Sequence, residues 1–149
     1  MTVDEQRTQI SLDHITNRII GAAIRLHQKL GPGLLESVYE LLLAHMLVLD
    51  GIRVMRQYPV PIKFDGIQFE EGFRIDLLVE ECVIVEIKSL QRLTSIHQKQ
   101  ILTHLRLMDL RVGLLINFGA ATLKEGLTRV VNDLVPGNSP ILRVNRSDR

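Results

Sequence analysis

The stretch FRIDLLVEECVIVEIKS, residues 73–89, holds three side chains that can do chemistry together. Glu86 and Lys88 are two apart in a run of strand-forming residues, so both leave the same face of a sheet. Ile87 between them points the other way, into a core, as do Val83 and Val85. Asp76 sits in the preceding apolar run between Ile75 and Leu77. Charged groups on one face of an otherwise apolar strand are costly unless they are solvated, paired or holding a cation. Two carboxylates with a lysine suit the last of these. Asp76 and Glu86 are hard oxygen ligands for Mg²⁺ or Mn²⁺, and the Ile87 carbonyl is a candidate third. A metal there would lower the pKa of a bound water and neutralise charge on a phosphate oxygen. An ordinary lysine is protonated and a poor base at neutral pH, so Lys88 takes an electrostatic part.

The pattern D-x9-E-x-K is short and common, and a cross-strand salt-bridged face would also produce it. Geometry supplies a check. Facing residues of an antiparallel pair have a constant sum of numbers, so Asp76 and Glu86 share a face only if that sum is even. This predicts an odd-length turn near Glu80-Glu81-Cys82; a two-residue turn would send the carboxylates to opposite faces unless a bulge intervened.

Two further features weigh against the bland reading. Glu36, in the segment GLLESVY, falls in the first turn of an apolar helix, where a carboxylate also suits the helix dipole. Tyr39 follows three residues later on a neighbouring face. Downstream of Lys88, His97, Gln100 and His104 make a polar stripe beside Ile101, Leu105 and Met108, as expected of a helix looking into a cleft. The two histidines are not at the i, i+4 spacing of helical zinc pairs.

The elements that position these residues follow from periodicity. Apolar residues from Leu12 to Leu30 recur at helical spacing, with Ser11 or Asp13 as cap and Gly31 as stop. A second apolar helix, about Leu35 to Leu49, follows the Gly31-Pro32-Gly33 break and closes at Asp50-Gly51. Residues 52–64 read as a strand pushed towards an edge by Pro59 and Pro61. Asp65-Gly66 is a hairpin turn. Strands follow near Ile67 to Glu70, Phe73 to Val79 and Val83 to Lys88, then a helix from Ser95 to Asp109 and a buried strand from Val112 to Phe118. Residues 123–132 are ambiguous between helix and strand. Residues 1–10 read as a flexible segment, 11–135 as one domain and 136–149 as a tail. A strand entered through a helical crossover beside a meander predicts an α/β three-layer sandwich.

Composition is permissive. At 149 residues, 46% hydrophobic and 23% charged, the chain is globular and sized for one domain. Aromatic residues make up only 4%, which limits base stacking on rings. A net charge of +1 gives no chain-wide basic signature, although clustered carboxylates would cancel a basic rim. Arg74, Lys63, Arg92, Lys99 and Arg106 are candidate phosphate contacts or ordinary surface charge. The single cysteine, Cys82, excludes an internal disulfide and reads as a small buried hydrophobe in a strand. No leader-like start and no apolar run of membrane length occur, so a cytoplasmic protein is expected. The apolar second helix and the edge strand could support a homodimer.

Taken together, Gly33-x-x-Glu36-x-x-Tyr39, Arg74-Ile75-Asp76, Glu86-Ile87-Lys88, Gln100 and the strand from Gly113 to Phe118 make the chain resemble the GxxExxY family of the PD-(D/E)XK nucleases, from roughly Ile15 to Asn132. The resemblance implies a restriction-endonuclease-like fold with a mixed sheet between helices, and metal-dependent phosphodiester cleavage, with DNA as the expected partner. It implies that Glu36 joins Asp76, Glu86 and Ile87 around Mg²⁺ or Mn²⁺, and that Gln100 orients the site. His104 stands where the related Q-x-x-x-Y helix carries a tyrosine. Tyr39, Arg74, His97 and His104 are then candidate substrate contacts. The contrasting expectation is an inactive nuclease-fold module that binds nucleic acid or a protein partner.

Overall fold

The computed structural model describes residues 2–133 and 142–143. The first helix, α1, runs Val3–Leu30, eight residues earlier than apolar spacing indicates. Its start is fixed by a capping box: the Thr2 hydroxyl accepts the Glu5 N–H at 3.1 Å, and the Glu5 carboxylate accepts the Thr2 N–H at 2.6 Å. The opening turns around Asp4, Glu5 and Gln6 are exposed and carry no apolar period, so periodicity detects the helix only from the buried Leu12 onward. Residues 3–10, expected as a flexible segment, are therefore helical. The helix stops at Gly31, whose φ of 68° is costly for other residues. Helix α2, Glu36–Leu49, follows.

Strands β1 (Val54–Phe64) and β2 (Ile67–Val79) form a long hairpin closed by Asp65 and Gly66, both at positive φ, as their sequence demands. The two strands expected between residues 67 and 79 are one. A register shift between Val60 and Ile62 takes up the irregularity, and Gly72 permits it: a Cβ there would lie 2.5 Å from the Ile62 side chain. Strand β3 (Val83–Lys88), helix α3 (Ser95–Met108) and strand β4 (Val112–Asn117) make a parallel crossover unit. The ambiguous segment divides into a single turn, α4 (Leu123–Gly126), and strand β5 (Leu127–Val131). A short β6 (Leu142–Arg143) pairs with Ile62 and Lys63 of β1. The rest of the expected tail, 136–149, lies outside the described residues.

The sheet order is β5-β4-β3-β2-β1-β6, mixed because only β3 and β4 are parallel. Pro59 and Pro61 lie on β1, next to the sheet's margin. One face packs on α1 and α2 through Leu77, Val79, Val83, Val85 and Ile87. The other packs on α3 through Ile75, Leu78, Ile84 and Leu115. With both faces covered, all six residues of β4 are buried. This is the α/β three-layer sandwich that the element order predicts.

Candidate active site

The β2–β3 turn has three residues. Val79 pairs with Val83, so Glu80, Glu81 and Cys82 form the loop and facing residues sum to an even number. Continuing that register sets Asp76 opposite Glu86, as the odd-length turn requires. Glu80 and Glu81 both take positive φ, and Cys82 is a half-buried turn residue rather than a strand residue.

The strands part at Asp76. The β2–β3 ladder runs from the turn to Leu77–Val85; beyond it, the Asp76 carboxylate accepts the Ile87 N–H at 2.9 Å. The side chain has taken the place of a strand carbonyl. The same level marks a break in phase on both strands of the hairpin. Met55, Tyr58 and Val60 of β1 pack in the α3-side core, as do Phe73, Ile75 and Leu78 of β2. Tyr58 is three residues from Met55, and Leu78 three from Ile75, where regular strands would give two or four. Gln57 and Asp76 occupy the break, and Gln57 has a φ of 49°. Its amide donates to Glu40 Oε1 at 2.5 Å and to Asp76 Oδ1 at 3.3 Å. Glu40 is buried on α2, and its other oxygen accepts from Arg56 at 3.0 Å. A polar chain therefore runs from α2 through Gln57 to the Asp76 carboxylate.

Glu86 is half-buried, and its Oε1 is buried with no hydrogen-bond partner. Burial first, and the adjacent Asp76 carboxylate second, push its pKa up to about 8, while Lys88 acts in the opposite direction. No ion pair within 4.0 Å joins Glu86 to Lys88 among the described residues, so a salt-bridged structural face is not what the strand carries. An unpartnered buried carboxyl oxygen beside a second carboxylate is a donor set that a cation would satisfy. His104 flanks the same region. Its ring stacks on Phe73 with centroids 4.2 Å apart, and its Nδ1 is buried without a partner. Burial brings its pKa down to about 4 against the opposing pull of Asp76, so the ring is neutral at pH 7.

The loop leaving Lys88 is tied down twice. Asn117 accepts the Leu90 and Gly119 N–H groups at 2.9 and 3.1 Å and donates to the Leu90 carbonyl at 2.9 Å. The Ser89 hydroxyl donates to the Leu34 carbonyl, joining this loop to the segment before α2. Gly119 lies so close to Leu90 that a Cβ would come 2.2 Å from the Leu90 carbonyl oxygen.

A family model for the PD-(D/E)XK nuclease superfamily matches residues 13–130. The chain belongs to that superfamily. Comparisons with curated proteins and with solved structures return no significant match. PD-(D/E)XK nucleases generally use divalent metal ions. Among the described residues of this member, no group of three or more His, Cys, Asp or Glu side chains is arranged to hold one. Asp76 and Glu86 supply two carboxylates. That number suffices for Mg²⁺, which keeps several waters and binds through one or two carboxylates plus substrate phosphates.

The other expected residues divide. Glu36 is exposed on the first turn of α2, one turn before Glu40 on the same side of the helix. The α2 carboxylate tied to Asp76 is Glu40, and the i, i+4 spacing from Glu36 was the signal that could have found it. Gln57 had no comparable signal. Tyr39, expected to touch substrate, is fully buried. Its ring stacks on Phe118 at 4.4 Å, and its hydroxyl donates to the Gly31 carbonyl and accepts the Leu34 N–H. It fastens the Gly-Pro-Gly corner instead. His97, another expected contact, caps α3 by accepting the Thr94 N–H on Nδ1. Arg74 is exposed and paired with Glu71 at 2.6 Å. Gln100 is exposed, and no described hydrogen bond joins it to Asp76, Glu86 or Lys88. A groove of about 460 Å³ between the end of α1 and α4 includes none of the three central residues. No helix among the described residues is long and apolar enough to cross a membrane.

Proposed function

We propose that this chain is a nuclease that hydrolyses phosphodiester bonds in DNA with Mg²⁺ or Mn²⁺, and that within its superfamily it falls in the GxxExxY family through Gly33, Glu36 and Tyr39. The observation that carries this reading is Glu86: a half-buried carboxylate, lacking a partner on Oε1, beside Asp76 and short of a positive charge. Asp76 and Glu86 would hold the ion, with the Ile87 carbonyl and Glu36 as the further ligands of this reading. When bound, the ion acidifies a coordinated water and neutralises charge on the phosphate.

The protein's own part is electrostatic and geometric. Gln57, backed by Glu40, and the Ile87 N–H fix both oxygens of Asp76. Lys88 stabilises the charge that develops on the phosphate, and Gln100 orients the attacking water. The neutral His104 ring lines the site without adding charge. The cytoplasm, where Mg²⁺ and nucleic acid meet, is the compartment this function needs.

The deciding experiment exposes labelled single- and double-stranded DNA and RNA to the protein with Mg²⁺ or Mn²⁺. Cleavage of DNA that is lost in Asp76→Ala and Lys88→Ala supports the proposal. If wild type and Asp76→Ala bind Mn²⁺ equally weakly, it fails at its first step. The exposure of Gln100 favours a second reading, a nuclease-fold module that binds without cutting; retention of DNA without cleavage under all metal conditions would select it.

A further inference from the structure

Helix α2 is apolar nearly all round, with mean hydropathy far above that of α1 or α3, yet only one side of it is covered. Tyr39, Leu43, Ala44 and Leu47 face the core. Leu35, Val38, Leu41, Val48 and Leu49 are exposed, with half-buried Leu42 beside them. A helix with apolar residues on every side is expected to be buried on every side. Of the two charged residues in α2, Glu40 is buried and Glu36 lies in the first turn away from the exposed stripe, whose polar residues, Ser37 and His45, are both without formal charge. Depletion of charge from the centre of a patch distinguishes a protein interface from ordinary surface. It also argues against nucleic acid, which needs cations, and against a membrane surface, which favours Lys and Arg along the helix flank.

The described part of the C-terminal segment lies elsewhere. β6 pairs with β1 and contacts α3, on the side of the sheet away from α2. The stripe is also self-complementary. Under a two-fold axis between Leu41 and Leu42, Leu35 meets Val48, Val38 meets His45 and Leu41 meets Leu42, and each helix N-terminus lies against the other's C-terminus. The exposed apolar side chains offer roughly 500 Å² per copy, which together reach the ~1,000 Å² that a specific interface must clear. We propose that this face of α2 is the contact between two copies of the chain, packed antiparallel about Leu41 and Leu42.

Sedimentation of the full chain over a concentration series tests it without reference to cleavage. Wild type is expected to dimerise, and Leu41→Glu, with an unchanged circular dichroism spectrum, to raise the dimer Kd at least ~100-fold by burying two carboxylates at the axis. In a Cys82→Ser background, Leu42→Cys should form an oxidised dimer, whereas Phe64→Cys in the exposed hairpin should not. A wild type that stays monomeric at several hundred micromolar overturns the proposal, even if it sediments with anionic vesicles. So does a dimer that survives Leu41→Glu but is broken by Phe64→Glu.

Discussion

Replacing Glu86 with Gln should stabilise the metal-free protein, and the size of the gain should depend on pH. The carboxyl group has an ordinary value of 4.5 and is raised to about 8 in the folded state, first by burial and second by Asp76. Between those values the folded chain holds a proton that the unfolded chain has lost, so unfolding free energy falls as pH rises. The stability associated with Glu86 is therefore fully present below pH 4.5 and lost as pH passes through 8. At ~1.4 kcal/mol per pH unit, the deficit is ~3 kcal/mol at pH 7 and ~5 kcal/mol above pH 8.5. Gln has nearly the same shape and no charge, so the variant lacks this slope. His104 works in the opposite direction: its lowered pKa gives stability that is present above 6.5 and lost as pH falls through 4. The two effects oppose one another between pH 4.5 and 6.5, so the informative window is pH 6.5 to 9. Urea unfolding in EDTA should show Glu86→Gln gaining ~3 kcal/mol over wild type at pH 6.5 and ~5 kcal/mol at pH 9, or ~1.4 and ~2.4 kcal/mol if relaxation around this half-buried group halves the effect. Saturating Mn²⁺ should then narrow the gap by stabilising wild type alone, by ~2.7 kcal/mol at a hundredfold excess over Kd. Stability curves that stay parallel from pH 6.5 to 9, or a variant weaker throughout, would refute the argument and mean that Glu86 is ionised and paired.

Three other perturbations probe the frame around that carboxyl. Glu40→Gln removes the buried partner of Arg56 and weakens the hold on Gln57, which should cost ~1–3 kcal/mol in urea unfolding and also lower Mn²⁺ affinity; unchanged Mn²⁺ affinity would separate α2 from the site. Tyr39→Phe loses a hydroxyl that bonds both Gly31 and Leu34, for a cost of ~1–2 kcal/mol, while DNA affinity measured by fluorescence anisotropy stays as in wild type. Gly119→Ala drives a methyl group into the Leu90 backbone, which cannot swing aside as a side-chain tip can, so thermal unfolding should show a loss of more than ~3 kcal/mol.

What the sequence made legible was local. Glu86-x-Lys88 in a run of β-branched residues fixes a shared face whatever the fold, and Asp65-Gly66 can close only a tight hairpin. The parity condition on the Glu80–Cys82 turn turned one ladder into a statement about two carboxylates, and the Val79–Val83 pair satisfies it. The beginning of α1 was hidden because hydrophobic periodicity reports burial, and its first turns are held by the Thr2–Glu5 cap in water. Tyr39 shows the converse: a polar atom on a residue in a recognisable motif reads as functional until Phe118, in the turn after β4 and nearly eighty residues away, is found stacked on its ring.

The Gln57–Asp76 break was the least accessible feature, because no residue in it is unusual alone. A non-glycine residue at φ 49° carries strain of roughly 1–3 kcal/mol and persists only where its surroundings fix it. Here the Gln57 amide is fixed at both ends, by Glu40 from the helix layer and by Asp76 from the neighbouring strand. The same break lets β2 leave β3, which frees the Ile87 N–H to meet a carboxylate instead of a strand carbonyl. A continuous ladder would hold Asp76 in regular alternation, facing one helix layer or the other. By skipping a phase at one level on both strands, the hairpin places an acidic side chain in the plane where the sheet opens, within reach of Glu86. The strain at Gln57 and the position of Asp76 are thus one structural event, and it depends on pairings that span α2, β1, β2 and β3 together.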